Sequence, residues 1–303
     1  MENNVENIIL ECNGVPVQAQ YRPGTGSEIV VFFHGSLDRK KRDIPFYYQT
    51  FSDLGTAHQI SIFDPAIERY AKLTSCWYLG WEGAPLWEAL SSEIIAFGHE
   101  KGCDHRTYVG GSSGGFAALL YSHLDKGSTA IAINAQTNVL RHVYGRVARN
   151  YLQTAWPKLT KDEWPLMLPL KLAPLLSENN DNTIIYLQCN SDYLHLANHA
   201  LPFLNALPPE SFDRHVVNID FDGIHGHGAS IRRPTIRHWI LASFAARGVI
   251  DRPFAAIVDA KRDMDMQDIT QPAQITNRSS SFQPSDLRTA DRLAQWHISE
   301  SQS

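Results

Sequence analysis

The stretch TYVGGSSGGFAALLY, residues 107–121, decides how this chain is read. Thr107, Tyr108 and Val109 close a run of strand character, and Phe116–Leu120 is a helix-forming run rich in Ala and Leu. Four glycines and two serines stand between them. Glycine at that density marks a backbone that turns sharply where side chains would collide. Strand, tight serine-bearing turn and helix in that order present a hydroxyl at the end of a sheet.

Two registers satisfy G-x-S-x-G. Gly110 to Gly114 puts Ser112 at the apex, and Gly111 to Gly115 puts Ser113 there. Small residues two before and two after the apex let strand and helix approach closely, and both registers supply them. The first leaves Val109 as the last strand residue and runs through G-x-S-x-G-G straight into the helix, which favours Ser112.

Outward from this turn, the chain alternates strands and helices. Ile8–Cys12 and Val15–Tyr21 flank Asn13-Gly14, a strong hairpin signal. EIVVFFHG (28–35), QISIFDP (59–65), TAIAINAQT (129–137), NTIIYLQC (182–189) and HVVNIDF (215–221) read as strands, several of them continuous apolar runs of the buried, parallel kind. Helices are predicted over 81–102, around 195–206 and over 235–247. The alternation predicts an α/β fold, a mostly parallel central sheet with helices on both faces and an antiparallel leading hairpin. The gap at 138–182 is too long for a simple connection and carries Trp156, Trp164 and the run PLMLPLKLAPLL. It is predicted to be an inserted lid over the serine, with completion of the core as the alternative. Residues 1–252 form the expected domain. Residues 253–303 are polar and poor in aromatics, a predicted mobile tail with a short helix over 286–297.

Composition narrows the function. A net charge of −5 in 303 residues argues against a nucleic-acid partner held by phosphate neutralisation. Four scattered cysteines without a C-x-x-C pair suggest reduced thiols. The acidic start MENNVENIILEC lacks the basic segment and apolar core of a secretion signal, and no apolar run approaches the roughly 18 residues that span a bilayer. A cytoplasmic, soluble protein is expected; the oligomeric state is open.

A serine hydroxyl is a weak nucleophile near neutral pH and needs an imidazole oriented by a carboxylate. Asp192 follows the buried strand IIYLQC in the turn Asn190-Ser191-Asp192, the expected exit for the acid, though it could equally cap the following helix. The loop DFDGIHGHGAS (220–230) offers two imidazoles. His227, between two glycines, leads; His225 stands as the alternative. A zinc site would need further ligands at matching spacing, and the sequence offers none, so no metal or other cofactor is expected. FFHGS (32–36) supplies a His-Gly pair after a buried strand, so the backbone N–H groups of Ser36 and Ser113 are candidates for holding a developing oxyanion.

In order and placement these pieces resemble the α/β-hydrolase superfamily over about residues 8–248. VFFHGSLDRKKRDIPFY, IFDPAI, CWYLGW, GGSSGGFAAL and INAQT look, more narrowly, like the hydrolase-like proteins of bacterial capsule synthesis and accessory secretion. That resemblance implies acyl chemistry on carbohydrate, by esterase or O-acetyltransferase action. It also implies that Arg39, Lys40, Trp77, Tyr78 and Gln136 face the site; His34 and Gly35 of the His-Gly segment and Trp164 of the expected lid are further candidate substrate contacts. Core packing is the competing role for Trp77 and Tyr78, and a solvated loop the competing role for the cations at 39–42.

The first expectation is a serine hydrolase forming an acyl-enzyme on a small-molecule or carbohydrate ester. The second is an acyltransferase in which a sugar hydroxyl replaces water. The third is a non-catalytic partner protein that keeps the fold as an interaction module.

Overall fold

A single strand running against its neighbours sets the architecture. The computed structural model describes residues 5–48, 50–178, 181–220 and 231–247. The chain divides at Asp263, and all of these residues belong to the first unit. Ten strands occur in them: β1 (Glu6–Cys12), β2 (Val15–Arg22), β3 (Glu28–Phe33), β4 (His58–Ile62), β5 (Gly80–Trp81), β6 (Ala84–Pro85), β7 (His105–Gly111), β8 (Thr129–Ile133), β9 (Thr183–Cys189) and β10 (His215–Asp220). Eight form one sheet in the order β1-β2-β4-β3-β7-β8-β9-β10. β2 pairs antiparallel with both β1 and β4; from β4 to β10 every pairing is parallel. This is the α/β-hydrolase architecture.

The inner strands β4, β8 and β9 are buried along their whole length, which suits the apolar runs of β8 and β9, while β4 also buries His58, Gln59 and Ser61. Period-two alternation sorts their side chains onto two faces. Ile29, Val31, Phe33, Tyr108, Ala130 and Tyr186 join one apolar cluster, with the helices Trp87–Glu100 and Ser113–Leu124. Val30, Phe32, Val109, Ile131 and Leu187 join the other, covered by the helix Arg233–Ala246 through Ile236, Trp239 and Ile240. Behind the first strands of this core, Arg106 pairs with buried Asp125, which also accepts from the Tyr108 hydroxyl at 2.9 Å.

One segment differs from expectation. The helix predicted over 81–102 begins at Trp87, because β5 and β6 form a small hairpin first. Gly80 and Gly83 adopt positive φ there, and Pro85 closes it. Residues 138–178 form a 3₁₀ turn at Val139–Arg141 and helices at Gly145–Ala155, Trp164–Met167 and Ala173–Leu176. Tyr151, Leu152, Trp156, Leu170 and Leu176 of this segment are buried in the first apolar cluster. Its His142 and Tyr151 rings lie 5.8 and 5.5 Å from that of Trp77. The tail and the helix expected at 286–297 lie outside the described residues.

Candidate active site

Sterics select Ser112 as the apex. A Cβ on Gly110 would meet the Gly114 carbonyl oxygen at 2.1 Å, and one on Gly114 would meet the Phe33 carbonyl oxygen at 2.4 Å. These glycines sit two before and two after Ser112. Ser112 itself adopts φ 55° and ψ −116°, a backbone state that costs an L-residue about 1–3 kcal/mol. Its N–H donates to Ile133 (3.0 Å), and its carbonyl accepts from Gln136 (3.0 Å) and Phe116 (3.2 Å). The turn is thus clamped between β7, β8 and the helix. Ser113, the other candidate, is buried, and its hydroxyl accepts from Ser75 at 2.9 Å.

Beside the apex stands an imidazole that the sequence reading missed. His195 Nε2 lies 3.4 Å from Ser112 Oγ, and its Nδ1 lies 3.1 and 3.0 Å from the two oxygens of Asp192. Both residues are essentially inaccessible. Asp192 also caps the short helix Tyr193–His195 by accepting from the His195 N–H, so the capping and orienting roles fall on one side chain. A signal was present: Asp and His at i and i+3 share one face of a helix. The helix continues as a π turn over Leu196–Ala200, which sets the ring of His199 5.4 Å from that of His195. Burial, with His195, His142 and Arg141 nearby, holds the His199 imidazole down to about 3, so it stays neutral.

The oxyanion segment abuts the turn. A Cβ on Gly35 would meet the Gly111 carbonyl oxygen at 3.0 Å and Ser112 Cβ at 3.7 Å. Ser36 is exposed, its hydroxyl donating to the Thr74 carbonyl at 3.2 Å, which also accepts from Leu37 N–H at 2.7 Å. Among the described residues nothing accepts from the backbone N–H of Ser36 or of Ser113, the latter being the first residue of its helix. His34 shapes this segment. Its ring bonds the Gly35 carbonyl through Nδ1 (2.7 Å) and accepts the Asp64 N–H through Nε2 (3.2 Å). Burial lowers its pKa to about 4.

Gln136 reaches the serine directly, donating from Nε2 to Ser112 Oγ at 3.2 Å. Trp77 fixes that amide by donating its indole N–H to Gln136 Oε1 at 2.6 Å. Tyr78 is buried; its N–H donates to Asp64 at 2.8 Å, and its hydroxyl accepts from the His34 N–H at 2.8 Å. Burial lifts the Asp64 carboxyl to about 7. Trp77 and Tyr78 therefore pack in the core and organise the site from behind. Arg39 donates to the Ile67 carbonyl at 3.2 Å, and Lys40 is exposed; no described contact brings either to Ser112. Trp164 is 6% exposed in the first apolar cluster, also without a described contact to Ser112. His225 and His227 lie outside the described residues. The described part of β10 ends near Asp192, since Asp220 O accepts from Asn190 N–H at 2.8 Å.

Among the described residues no group of three or more His, Cys, Asp or Glu could hold a metal ion, and no helix is long and apolar enough to cross a membrane.

No family model matches this chain, and no curated protein matches it. Solved structures do. The Pyrococcus horikoshii acylaminoacyl peptidase is 14% identical with a TM-score of 0.56, over 80% of this chain and 42% of its own. Mycobacterium tuberculosis MPT51 (FbpC1) is 14% identical with a TM-score of 0.51, over 86% of this chain and 100% of its own. The capsule O-acetyltransferase of Neisseria meningitidis serogroup A is a looser match, 13% identical with a TM-score of 0.49, over 70% of this chain and 87% of its own. The chain thus spans less than half the length of the peptidase it matches. What these likenesses establish is the α/β-hydrolase fold.

Proposed function

We propose that the protein is a serine acyl hydrolase that acts on an acyl ester of a carbohydrate through an acyl-enzyme on Ser112. The observation that carries this reading is the line Ser112 Oγ, His195, Asp192, with an imidazole 3.4 Å from a strained apex serine and 3.0 Å from a buried carboxylate. With Nδ1–H donating to Asp192, the Nε2 lone pair faces the Ser112 hydroxyl, while Gln136 donates to the same oxygen. Ser112 Oγ attacks the ester carbonyl as its proton passes to Nε2. The N–H groups of Ser36 and Ser113 receive the oxyanion, and Asp192 stabilises the imidazolium. Collapse of the intermediate sends that proton to the departing sugar oxygen. Water then attacks the acyl-enzyme, its proton taken by the same nitrogen. The sequence segments that resemble capsule and accessory-secretion proteins support carbohydrate as the alcohol. The 138–182 segment, whose His142 and Tyr151 rings pack against the Trp77 that holds Gln136, is the proposed wall of the acyl and acceptor pocket.

A second base is supported by a specific observation. β10 ends beside Asn190, two residues from Asp192, and chain order nominates His227 in the sequence that follows it. A sugar hydroxyl in place of water would make the same acyl-enzyme a transferase. A non-catalytic role has less support, because serine, imidazole and carboxylate are all in place.

The test is fluorophosphonate labelling together with short-chain aryl esters. Ser112→Ala should abolish labelling and lower turnover by about 10⁴-fold or more. Ser113→Ala should keep both, since alanine retains the backbone N–H. Labelling that survives Ser112→Ala and vanishes in Ser113→Ala would overturn the assignment.

A further inference from the structure

A cleft of about 350 Å³ opens between the 137–177 segment and the helices that follow His195. Thr137, Asn138, Arg141 and Lys171 line one side, with Lys171 held opposite Asn138 by a β-bridge. Asn198 and Phe203 line the other. The lining contains two cations and no carboxylate. Neither cation makes an ion pair among the described residues. Thr137 belongs to both cleft and site. Its N–H donates to His199 Nδ1 at 3.3 Å and its hydroxyl to the His199 carbonyl at 2.9 Å. From His199 one ring contact leads to His195 and so to Ser112. The buried rings of His199 and His195 link Thr137 of the cleft wall to Ser112 Oγ. His199 stays neutral, so the positive charge belongs to Arg141 and Lys171 alone, and Phe203 and Pro202 offer an apolar wall to the carbon face of a sugar.

We propose that this cleft is an anion subsite, seating a carboxylate or phosphate group of the same molecule whose ester is opened at Ser112, so that the preferred substrate is an acylated acidic carbohydrate. The inference rests on the acyl-transfer reading above. A concave site with two uncompensated cations concentrates anions and loses that advantage as salt rises. Arg141 adds a planar fork that binds either group in two-point fashion, and Lys171 adds a point charge.

Three acetyl esters of matched size test it on the full chain: a neutral oligosaccharide, a uronic-acid oligosaccharide and a sugar phosphate. The intact protein should favour an anionic ester over the neutral one in kcat/KM, and added salt should erode the preference. Arg141→Gln and Lys171→Gln should each lower the anionic-to-neutral ratio by about 10-fold, the scale of one charge-assisted hydrogen bond. The ester that responds identifies the group. A ratio near one in the intact protein, or a ratio unmoved by either substitution, overturns the proposal. Titration of Ser112→Ala with inorganic phosphate and with glucuronate, followed by NMR, supplies a readout without turnover. Saturable binding lost on adding Arg141→Gln supports the subsite, and binding indifferent to Arg141 and Lys171 overturns it. Failure of a fluorophosphonate to label Ser112 would sink the acyl-transfer reading instead, and that titration does not depend on it.

Discussion

His34 and His195 both stand at the carboxyl end of the sheet, both essentially inaccessible and both against the serine turn. Their surroundings make them opposite instruments. Both ring nitrogens of His34 are engaged with backbone, the Gly35 carbonyl and the Asp64 N–H. Protonating it would break the second of these bonds, and burial already holds its pKa at about 4. His34 fixes the path of the oxyanion segment. The ring of His195 instead faces a hydroxyl on one side and a carboxylate on the other, the arrangement in which a proton can be taken and returned. A buried histidine is read by what its two nitrogens touch, more than by its place near a nucleophile.

Substitutions should separate the two duties. His195→Ala is expected to lower kcat by about 10³-fold with little change in KM, the loss seen when a triad base is removed. His227→Ala should cost less than 10-fold in the same assay; the reverse ranking would move the proton relay to the loop after β10 and leave His195 as packing. His34→Gln should cost about 10-fold, because a displaced donor loop weakens oxyanion binding without removing the base. A His34→Gln enzyme as impaired as His195→Ala would erase the distinction.

The smallest expected effect concerns acid stability. His34 titrates near 6.5 when unfolded and at about 4 when folded, so between these values the unfolded chain holds the extra proton. The contribution of His34 is present above pH 6.5 and is lost progressively as pH falls toward 4. Chemical denaturation of the intact protein and of His34→Gln at pH 7, 5.5 and 4.5 should show a shallower decline in the variant. Parallel declines would mean that His34 titrates normally in the fold.

The fold was legible because its signals have local causes. Apolar runs marked β3, β8 and β9, Asn13-Gly14 marked the leading hairpin, and the glycines at 110 and 114 marked a close approach of strand and helix. Ser112, Asp192 and Gln136 were nominated and are brought together. His195 was not, because a His inside a short helix carries no glycine or turn signature, and only its spacing from Asp192 betrays it. The left-handed backbones of Trp77 and Tyr78 were beyond reach as well: bulky side chains rarely adopt positive φ, and burial of both rings enforces it. In the insertion, Pro165, Pro169 and Pro174 fall among short helices, where Trp164, Leu168, Leu170, Leu172 and Leu176 join the core while Leu166 and Met167 stay exposed. Trp164 was expected to face the substrate. At 6% exposure it predicts something else, a Trp164→Ala protein destabilised by about 3–5 kcal/mol, with a melting temperature lower by about 10 °C. Calorimetry that finds less than about 2 °C, alongside altered ester selectivity, would restore the substrate-facing role.

The apex of the serine turn has a consequence for anyone breeding variants of this protein. At φ 55° and ψ −116° position 112 favours glycine over every L-residue, since only a residue without a Cβ sits there at ease. A library screened for heat survival alone would therefore drift toward Ser112→Gly, gaining robustness while discarding the hydroxyl. Selection for durability and selection for chemistry pull this one codon in opposite directions, and a screen that omits a catalytic readout will enrich the wrong winners.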